Sequence, residues 1–454
     1  MEERGGKMRS CMRRWIAVFI MSFSLLAWPA AILAGESANI NIEEWERKMI
    51  EGVSLSDLIA YAYHVNPSIK AARAGWKSIV ERYRIETAYP DPELGVSTYP
   101  KPLMARYEVM ISQTIPFPGK LSQMGEVVKA EIEISRLELD RILRDILTGI
   151  RESYHELLYI KEAKNVVALN RDLLEQMLKV GETAYAQNRT TFFDVVKAQS
   201  QLAQLQYDAI LLEELEQTEK AQMNSFLNRP PKSEIHLLEE EDLPPLVYPL
   251  EEIYELAEKH REEIRLIEME IQKARAKMAV ARYESLPDFK LGASYAQGNP
   301  DMVPEEFRDA IGVQFGITIP LWFDKNKGRL EAARAEEKKA LSMKAAQINE
   351  TRAMIRNAYF RLKNSERLIR LYRDQLLPQA AKAIEIAETW FREKQGSFTD
   401  FIETQSAFYN FQLFLARAKA DYGRNMAQLE KLSGVDLTRK GENRGGRKPK
   451  ERGR

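Results

Sequence analysis

Histidine, cysteine and clustered carboxylates are the side chains most able to catalyse reactions or bind metals, and here they are few or scattered. The four histidines, His64, His155, His236 and His260, have no partners at metal-ligand spacing. The single cysteine, Cys11, leaves neither a disulfide framework nor a cysteine-based metal site. The sequence also lacks a glycine-rich phosphate loop, an H-E-x-x-H pattern and a nucleophile elbow. We therefore expect no enzyme activity, no metal and no cofactor.

Two carboxylates have a defined place in the sequence, because Asp194 and Asp400 recur at the same position of an internal repeat. Each is flanked by matching residues at a constant offset of 206. Glu403 follows Asp400 by three residues, so a helix would place both carboxylates on one face. The simplest role of either aspartate is to cap the N-terminus of a helix.

The repeat extends over most of the chain, and its order never changes. The matching groups are Leu55 and Leu58 with Leu250 and Ile253, Pro90-Asp91 with Pro287-Asp288, Thr114-Ile115-Pro116 with Thr318-Ile319-Pro320, and Glu182-Thr183 with Glu388-Thr389. Chance matches would not stay collinear, so the sequence indicates a duplication. We predict a first repeat over 35–232, a linker over 233–249 and a second repeat over 250–437.

Each repeat is predicted to contain a helix, two strands and a long α-hairpin, which makes the chain mainly α with a small β part. Apolar residues at three- and four-residue spacing predict helices over 55–89 and 250–284. Alternation of apolar residues with small or polar residues predicts strands with one apolar face. The strands are expected around 94–98, 107–111, 289–295 and 311–319.

The long hairpins carry the repeated aspartates. No proline occurs between Leu121 and Asn228, and apolar residues recur there about every 3.5 positions, as in a coiled coil. We predict that the chain reverses at 188–191 and again at 394–397. Each long helix would extend roughly 100 Å at 1.5 Å per residue, which matches two shorter helices placed end to end. We expect Pro378 to bend or locally loosen the second long helix.

Four strands with one apolar face cannot cross a bilayer alone, because open edges would leave backbone groups unpaired in lipid. Bacterial barrels have at least eight strands, and three chains with four strands each would supply twelve. The periodicity leaves one alternative open, which is a small soluble β-layer that caps a helical bundle.

The two ends of the chain differ in composition from the repeats. The segment 1–34 resembles a secretory signal peptide, with a basic start, an apolar stretch from Trp15 to Leu33 and small residues near its end. An uncleaved membrane anchor is the alternative. The segment 438–454 is predicted to be a basic, disordered tail. The formal net charge is zero, which gives no indication of a nucleic-acid partner.

Both predicted reversals resemble the Y-x-x-G-x-x-x-x-x-D-V-L-x-A-Q segment of the TolC-type outer-membrane efflux proteins. The matching segments are Tyr185–Gln199 and Phe391–Gln405, and with the duplication the resemblance covers about residues 50–435. It implies a homotrimer in the outer membrane, with a twelve-stranded β-barrel that continues into a periplasmic α-helical tunnel. It further implies docking to a periplasmic adaptor protein and an inner-membrane transporter, so that the trimer serves as a passive exit duct for efflux.

The resemblance also implies roles for individual residues. It places the hairpin tips against the adaptor and a gate at the periplasmic end, with Asp400 and Glu403 lining the gate and Asp194 as a stabilising partner. Asn188 and Lys394 stand where the family has glycine, and asparagine adopts a left-handed conformation more readily than lysine. The residues matching the docking tips are Gln187, Asn188, Arg189, Glu393, Lys394 and Gln395.

Other functions remain open at this stage. An exit duct for type I protein secretion would have the same fold. A periplasmic adaptor or a structural periplasmic coiled coil belongs to a different class. Adaptors usually carry one hairpin with lipoyl-like and barrel modules, whereas this chain has two hairpins. A structural coiled coil would not need paired strands that recur in both repeats.

Overall fold

The computed structural model describes residues 42–99, 105–238, 243–393 and 395–438. The predicted signal peptide, Lys394 and the tail from residue 439 onward lie outside the described residues. The chain divides into two units, Met1–Lys48 and Met49–Arg454. Helix α1, Ile42–Glu51, crosses the boundary between them.

From Leu55 onward, helices and strands occur in the same order twice, as the duplication predicts. The first series is α2 (Leu55–Val65), α3 (Pro67–Glu86), β1 (Glu93–Thr98), β2 (Ala105–Ile115), α4 (Lys120–Ala186) and α5 (Phe192–Phe226). The second series is α6 (Leu250–His260), α7 (Glu262–Tyr283), β3 (Phe289–Gly298), a 3-10 turn (Glu305–Phe307), β4 (Asp309–Ile317), α8 (Phe323–Leu371), a π-turn (Tyr372–Leu376), α9 (Leu377–Arg392) and α10 (Phe398–Ser433). The exact repeat boundaries stay predictions.

The single helices predicted over 55–89 and 250–284 are wrong, because each is two helices. In the first repeat the break lies at Asn66, whose side-chain oxygen accepts hydrogen bonds from the backbone N–H groups of Ser68 and Ile69 at 2.9 and 3.3 Å. Pro67 follows, and it has no N–H to continue the first helix. The second break lies at Arg261, which stands 195 positions after Asn66 in the repeat and forms no side-chain cap. The backbone of Gly434, with φ +76°, passes so close that a Cβ there would lie 2.7 Å from the carbonyl carbon of His260.

The π-turn confirms the prediction for Pro378. The backbone N–H of Leu377 donates to the carbonyl of Tyr372, a bond that spans five residues instead of four. Because Pro378 cannot donate a hydrogen bond to the preceding turn, the helix accommodates one extra residue there. The long second helix therefore continues past the proline with a local loosening.

The four described strands form one antiparallel sheet in the order β1-β2-β3-β4. Val96 pairs with Val109, Val109 with Tyr295, and Tyr295 with Ile311. These residues belong to an apolar face, which in β4 is largely exposed in the single chain. The opposite face carries small or polar residues, including Gly95, Ser112, Gly292 and Gln314. The one-sided pattern predicted for the strands is confirmed, and β1 and β4 are the two edges of this sheet.

The helices form a layered bundle joined through α4. Helix α4 packs against α3 and α5, so one long helix lies along two shorter ones, as the lengths predict. The second long helix packs in the same way against α7 and α10. Helix α4 also contacts α7 and α10, which joins the two repeats. Within the described residues, no helix is both long enough and apolar enough to cross a membrane.

Candidate functional site at the hairpin ends

The first hairpin reverses between Ala186 and Phe192, at the predicted place. The backbone N–H of Arg189 donates to the carbonyl of Ala184 at 2.8 Å, and that of Asn188 donates to Tyr185 at 2.9 Å. Asn188 has φ +57°. These two bonds around a left-handed residue form a Schellman motif, which closes the end of α4. Asn188 thus adopts the left-handed conformation that asparagine tolerates better than lysine.

The second hairpin ends with an equivalent bond. The backbone N–H of Gln395 donates to the carbonyl of Trp390 at 2.8 Å. Both residues lie 206 positions after the pair Arg189 and Ala184, so the same turn is used twice. Lys394, which matches Asn188, lies outside the described residues. The other five predicted docking residues, Gln187, Asn188, Arg189, Glu393 and Gln395, are exposed at the two hairpin ends.

Asp194 is held by three threonine hydroxyl groups at the start of α5. Thr191 and Asp194 form a capping box, in which each side chain accepts a hydrogen bond from the backbone N–H of the other. The hydroxyls of Thr190 and Thr191 donate to the carboxylate at 3.0 and 2.7 Å, and Thr399 on α10 donates to its other oxygen. Burial acts to raise the pKa of Asp194, but the hydrogen bonds from Thr399, Thr191 and Thr190 outweigh it and lower the pKa to about 2. Asp194 therefore links the two hairpin ends.

Asp400 occupies the matching position at the start of α10, yet its environment differs. Its backbone N–H donates to the Ser397 hydroxyl at 3.0 Å, so the helix is capped by the serine. The Asp400 carboxylate is exposed, and no side chain among the described residues donates a hydrogen bond to it. Phe193 stands at the repeat position of Thr399, which removes the equivalent hydroxyl donor. Asp400 is thus a free negative charge, whereas Asp194 is a structural cap.

Glu403 lies one helical turn after Asp400 and is not a free carboxylate. The ammonium group of Lys197 on α5 lies 2.7 Å from its Oε1 atom. Sequence reasoning missed Lys197 as a partner. The available signal was the repeat itself, because Lys197 and Glu403 lie at the same position, 206 residues apart.

A buried amide pair behind these residues was also missed. Gln405, fully buried on α10, donates from its side chain to the side-chain oxygen of Asn170 on α4 at 3.2 Å. The Asn170 amide nitrogen donates to Gln412 at 2.9 Å. Buried polar pairs of this kind tolerate little displacement, so they hold the register of α10 on α4. The repeat partner Gln199 is exposed on α5. In the part of the chain that the structure describes, no group of three or more histidine, cysteine or acidic side chains could hold a metal ion.

Comparison with known proteins was made on both sequence and fold. Residues 253–435 match the sequence profile of the family described as Outer membrane efflux protein. The pyoverdine export outer membrane protein OpmQ of Pseudomonas aeruginosa is 23% identical over 346 residues, covering 72% of this chain and 69% of that protein. The solved structure of CusC is similar with a TM-score of 0.72 at 14% identity, over 84% of this chain and 92% of that chain. VceC of Vibrio cholerae has a TM-score of 0.70 at 18% identity, over 87% and 98% of the two chains.

The fold, with its two long hairpins and its four-stranded sheet, is that of the TolC-type channels. The match to the outer membrane efflux protein family covers residues 253–435, in agreement with the resemblance of the hairpin segment Phe391–Gln405. The proteins that it matches are outer-membrane channel or export proteins and not enzymes. These matches favour a channel over the periplasmic adaptor and the structural coiled coil.

Replacing Asp194 by asparagine is expected to loosen both hairpin ends at neutral pH, because a neutral amide oxygen accepts weaker hydrogen bonds from the three threonine hydroxyls than a carboxylate does. The folded-state pKa, about 2, lies below the ordinary value of 3.8, so the contribution is present above pH 4 and is lost as the pH falls through 2. Amide hydrogen exchange of 184–200 and 390–405, compared with wild type between pH 7 and 2, measures this effect. Asp400→Asn is the matched control, and equal loosening by both variants would contradict the assigned role of Asp194.

Proposed function

We propose that this chain is the outer-membrane subunit of a tripartite efflux pump and acts as its passive exit duct. Three copies would form a homotrimer, with a twelve-stranded barrel in outer-membrane lipid and a helical tunnel in the periplasm. Each copy would contribute the repeats 35–232 and 250–437, joined by the linker 233–249. One observation carries the proposal. Helices α10 and α5 have apolar side chains at equivalent positions of the repeat, and this row of side chains, the coiled-coil seam, is buried on α10 but exposed on α5.

The seam on α10 faces α4 within the chain. Phe398, Ile402 and Ala416 are 1%, 2% and 5% exposed there. Their repeat partners on α5, Phe192, Val196 and Ile210, are 62%, 38% and 65% exposed. Exposed apolar side chains at coiled-coil spacing indicate a missing helical partner. A second copy would supply this partner. Its second long helix stands at the repeat position of α4, so it can pack against α5 as α4 packs against α10.

The sheet leads to the same arrangement. The outer edges of β1 and β4 have no partner strand among the described residues, and the apolar face includes the exposed Ile311, Val313 and Phe315. Open edges are unfavourable in lipid, and closure into a barrel removes them. If β4 pairs with β1 of the next copy in the way that β2 pairs with β3, no strand of the sheet is left with an unpaired edge. Three copies then form the twelve-stranded barrel, with its apolar face toward lipid.

The repeat predicts the register of this pairing between copies. Met110 pairs with Ser294 in the chain, and their repeat partners are Gln314 and Ser97. The double variant Ser97→Cys with Gln314→Cys is therefore expected to form disulfides between copies, giving a covalent trimer on a denaturing gel after mild oxidation. Val96→Cys with Gln314→Cys is the matched control, because its side chains point to opposite faces of the sheet. Cross-linking of the control pair but not the test pair would contradict the register.

The exposed hairpin ends are the proposed docking site for a periplasmic adaptor, which would connect the duct to an inner-membrane transporter. Arg189 and its neighbours lie at the reversal of the first hairpin, where no other described element covers them. Arg189→Glu is expected to prevent copurification of the adaptor from membranes of the native host, as detected by mass spectrometry, without loss of the trimer. Arg171→Glu, a change on the shaft of α4 at a side chain that is 42% exposed, should have no effect. Normal copurification with Arg189→Glu would place the docking site elsewhere.

The periplasmic end is the proposed gate, with Asp400, Glu403 and Asp194 near the constriction. Threefold symmetry would gather the free Asp400 carboxylates around one axis, where they would favour cations. Asp400→Asn is expected to weaken block of single channels by hexaamminecobalt(III) added at the periplasmic side of a planar bilayer. Asp172→Asn, another exposed carboxylate on the shaft, should leave the block unchanged. Undiminished block in Asp400→Asn channels would remove Asp400 from the constriction.

A further inference from the structure

The ion pair between Lys197 and Glu403 joins two identical positions of the repeat. Each residue lies one helical turn after its aspartate, Asp194 or Asp400, on the returning helix of its hairpin. The two side chains meet across the contact between α5 and α10, with 2.7 Å between Nζ and Oε1. The two hairpin ends of one chain therefore present opposite charges at one level of the tunnel.

In a closed trimer the first and second hairpins alternate around the axis. If the contact between copies repeats the contact within the chain, Glu403 also faces Lys197 of the next copy. The Glu403 side chain is 65% exposed, and its second oxygen accepts no hydrogen bond from any described residue. An ammonium group has three donors, and a carboxylate accepts at both oxygens. The six positions would then form a ring of alternating positive and negative charge.

We propose that Lys197 is a selectivity-determining residue of the duct, which neutralises Glu403 and leaves Asp400 as the free acidic charge of the constriction. This inference rests on the proposed function and changes one part of it, because Glu403 would add no net charge to the gate. Opposite charges less than 3 Å apart act on a distant ion as a dipole, whose field falls more steeply than that of a lone charge. The ammonium group of Lys197, on the first hairpin, thus sets how many carboxylates of the second hairpin stay unpaired at the constriction.

The test is the reversal potential of the trimer in planar bilayers under a potassium chloride gradient. Lys197→Met is expected to increase the permeability ratio of potassium to chloride severalfold, because it exposes one more carboxylate per chain. Glu403→Gln should decrease the ratio, because it leaves the lysine unpaired. The exchange Lys197→Glu with Glu403→Lys keeps every pair in the ring and should return the ratio close to that of wild type.

Two controls distinguish this effect from a general change of charge or assembly. Lys164→Met removes a cation from another pair, Lys164 with Glu216, far along the first hairpin, and should not change the ratio. Lys197→Arg keeps the positive charge and should have the permeability ratio of wild type. If Lys197→Met does not form trimers, Lys197→Gln is used in its place.

The outcomes separate this inference from the function on which it rests. If Asp400→Asn lowers the ratio but Lys197→Met does not raise it, the role of Lys197 is wrong and the acidic gate stands. If the double variant Lys197→Glu with Glu403→Lys does not return the permeability ratio close to that of wild type, the proposed pairing of positions 197 and 403 is also wrong. If Asp400→Asn has no effect either, the acidic constriction is wrong, and the role of Lys197 falls with it.

Discussion

The close packing of α10 against α4 is the contact on which the arrangement of the two repeats depends. The ring of Phe398 lies against Gly181, where a Cβ atom would come within 2.7 Å of the ring. Only glycine permits this approach, because any side chain would displace the ring or the helix. Further along the same interface, the buried carboxylate of Glu156 binds Arg417 at 2.8 Å and Arg424 at 2.7 Å. Glu156 is buried while the two arginine side chains are 37% and 38% exposed, so these ion pairs link α4 to α10 at the edge of the interface.

The contact between α10 and α4 also serves as the model for the proposed contact between neighbouring copies. Within the chain, the returning helix α10 of the second repeat packs against the long helix α4 of the first repeat. The corresponding surfaces of α5 and of the second long helix have no such partner within the chain and stay exposed. The sheet repeats this logic, with β2 and β3 paired inside and β1 and β4 at the edges. These exposed surfaces are the ones that neighbouring copies would cover in the proposed ring.

The two repeats share a plan but differ at the residues that carry charge. At one position the first repeat has Asp194, bound by three threonine hydroxyls, and the second has the exposed Asp400. One turn later the first has Lys197 and the second has Glu403. The first hairpin thus contributes a rigid cap and a neutralising cation, and the second contributes the free carboxylate. Because the two hairpins would alternate in the proposed ring, these differences would set the charge of the proposed constriction.

Local patterns in the sequence determined the long hairpin helices, the one-sided strands, the duplication, both chain reversals and the loosened helix at Pro378. Each depends on residues within a few positions of one another, so periodicity and turn chemistry are sufficient to predict it. The tertiary structure alone decided that the Gly434 backbone packs against the helix break at Arg261, 173 positions away. It also decided the partners of Asp194, Glu403 and Asn170, because each pairs with a residue on another hairpin more than 200 positions distant. Which helix faces meet depends on packing, and a single sequence does not record it.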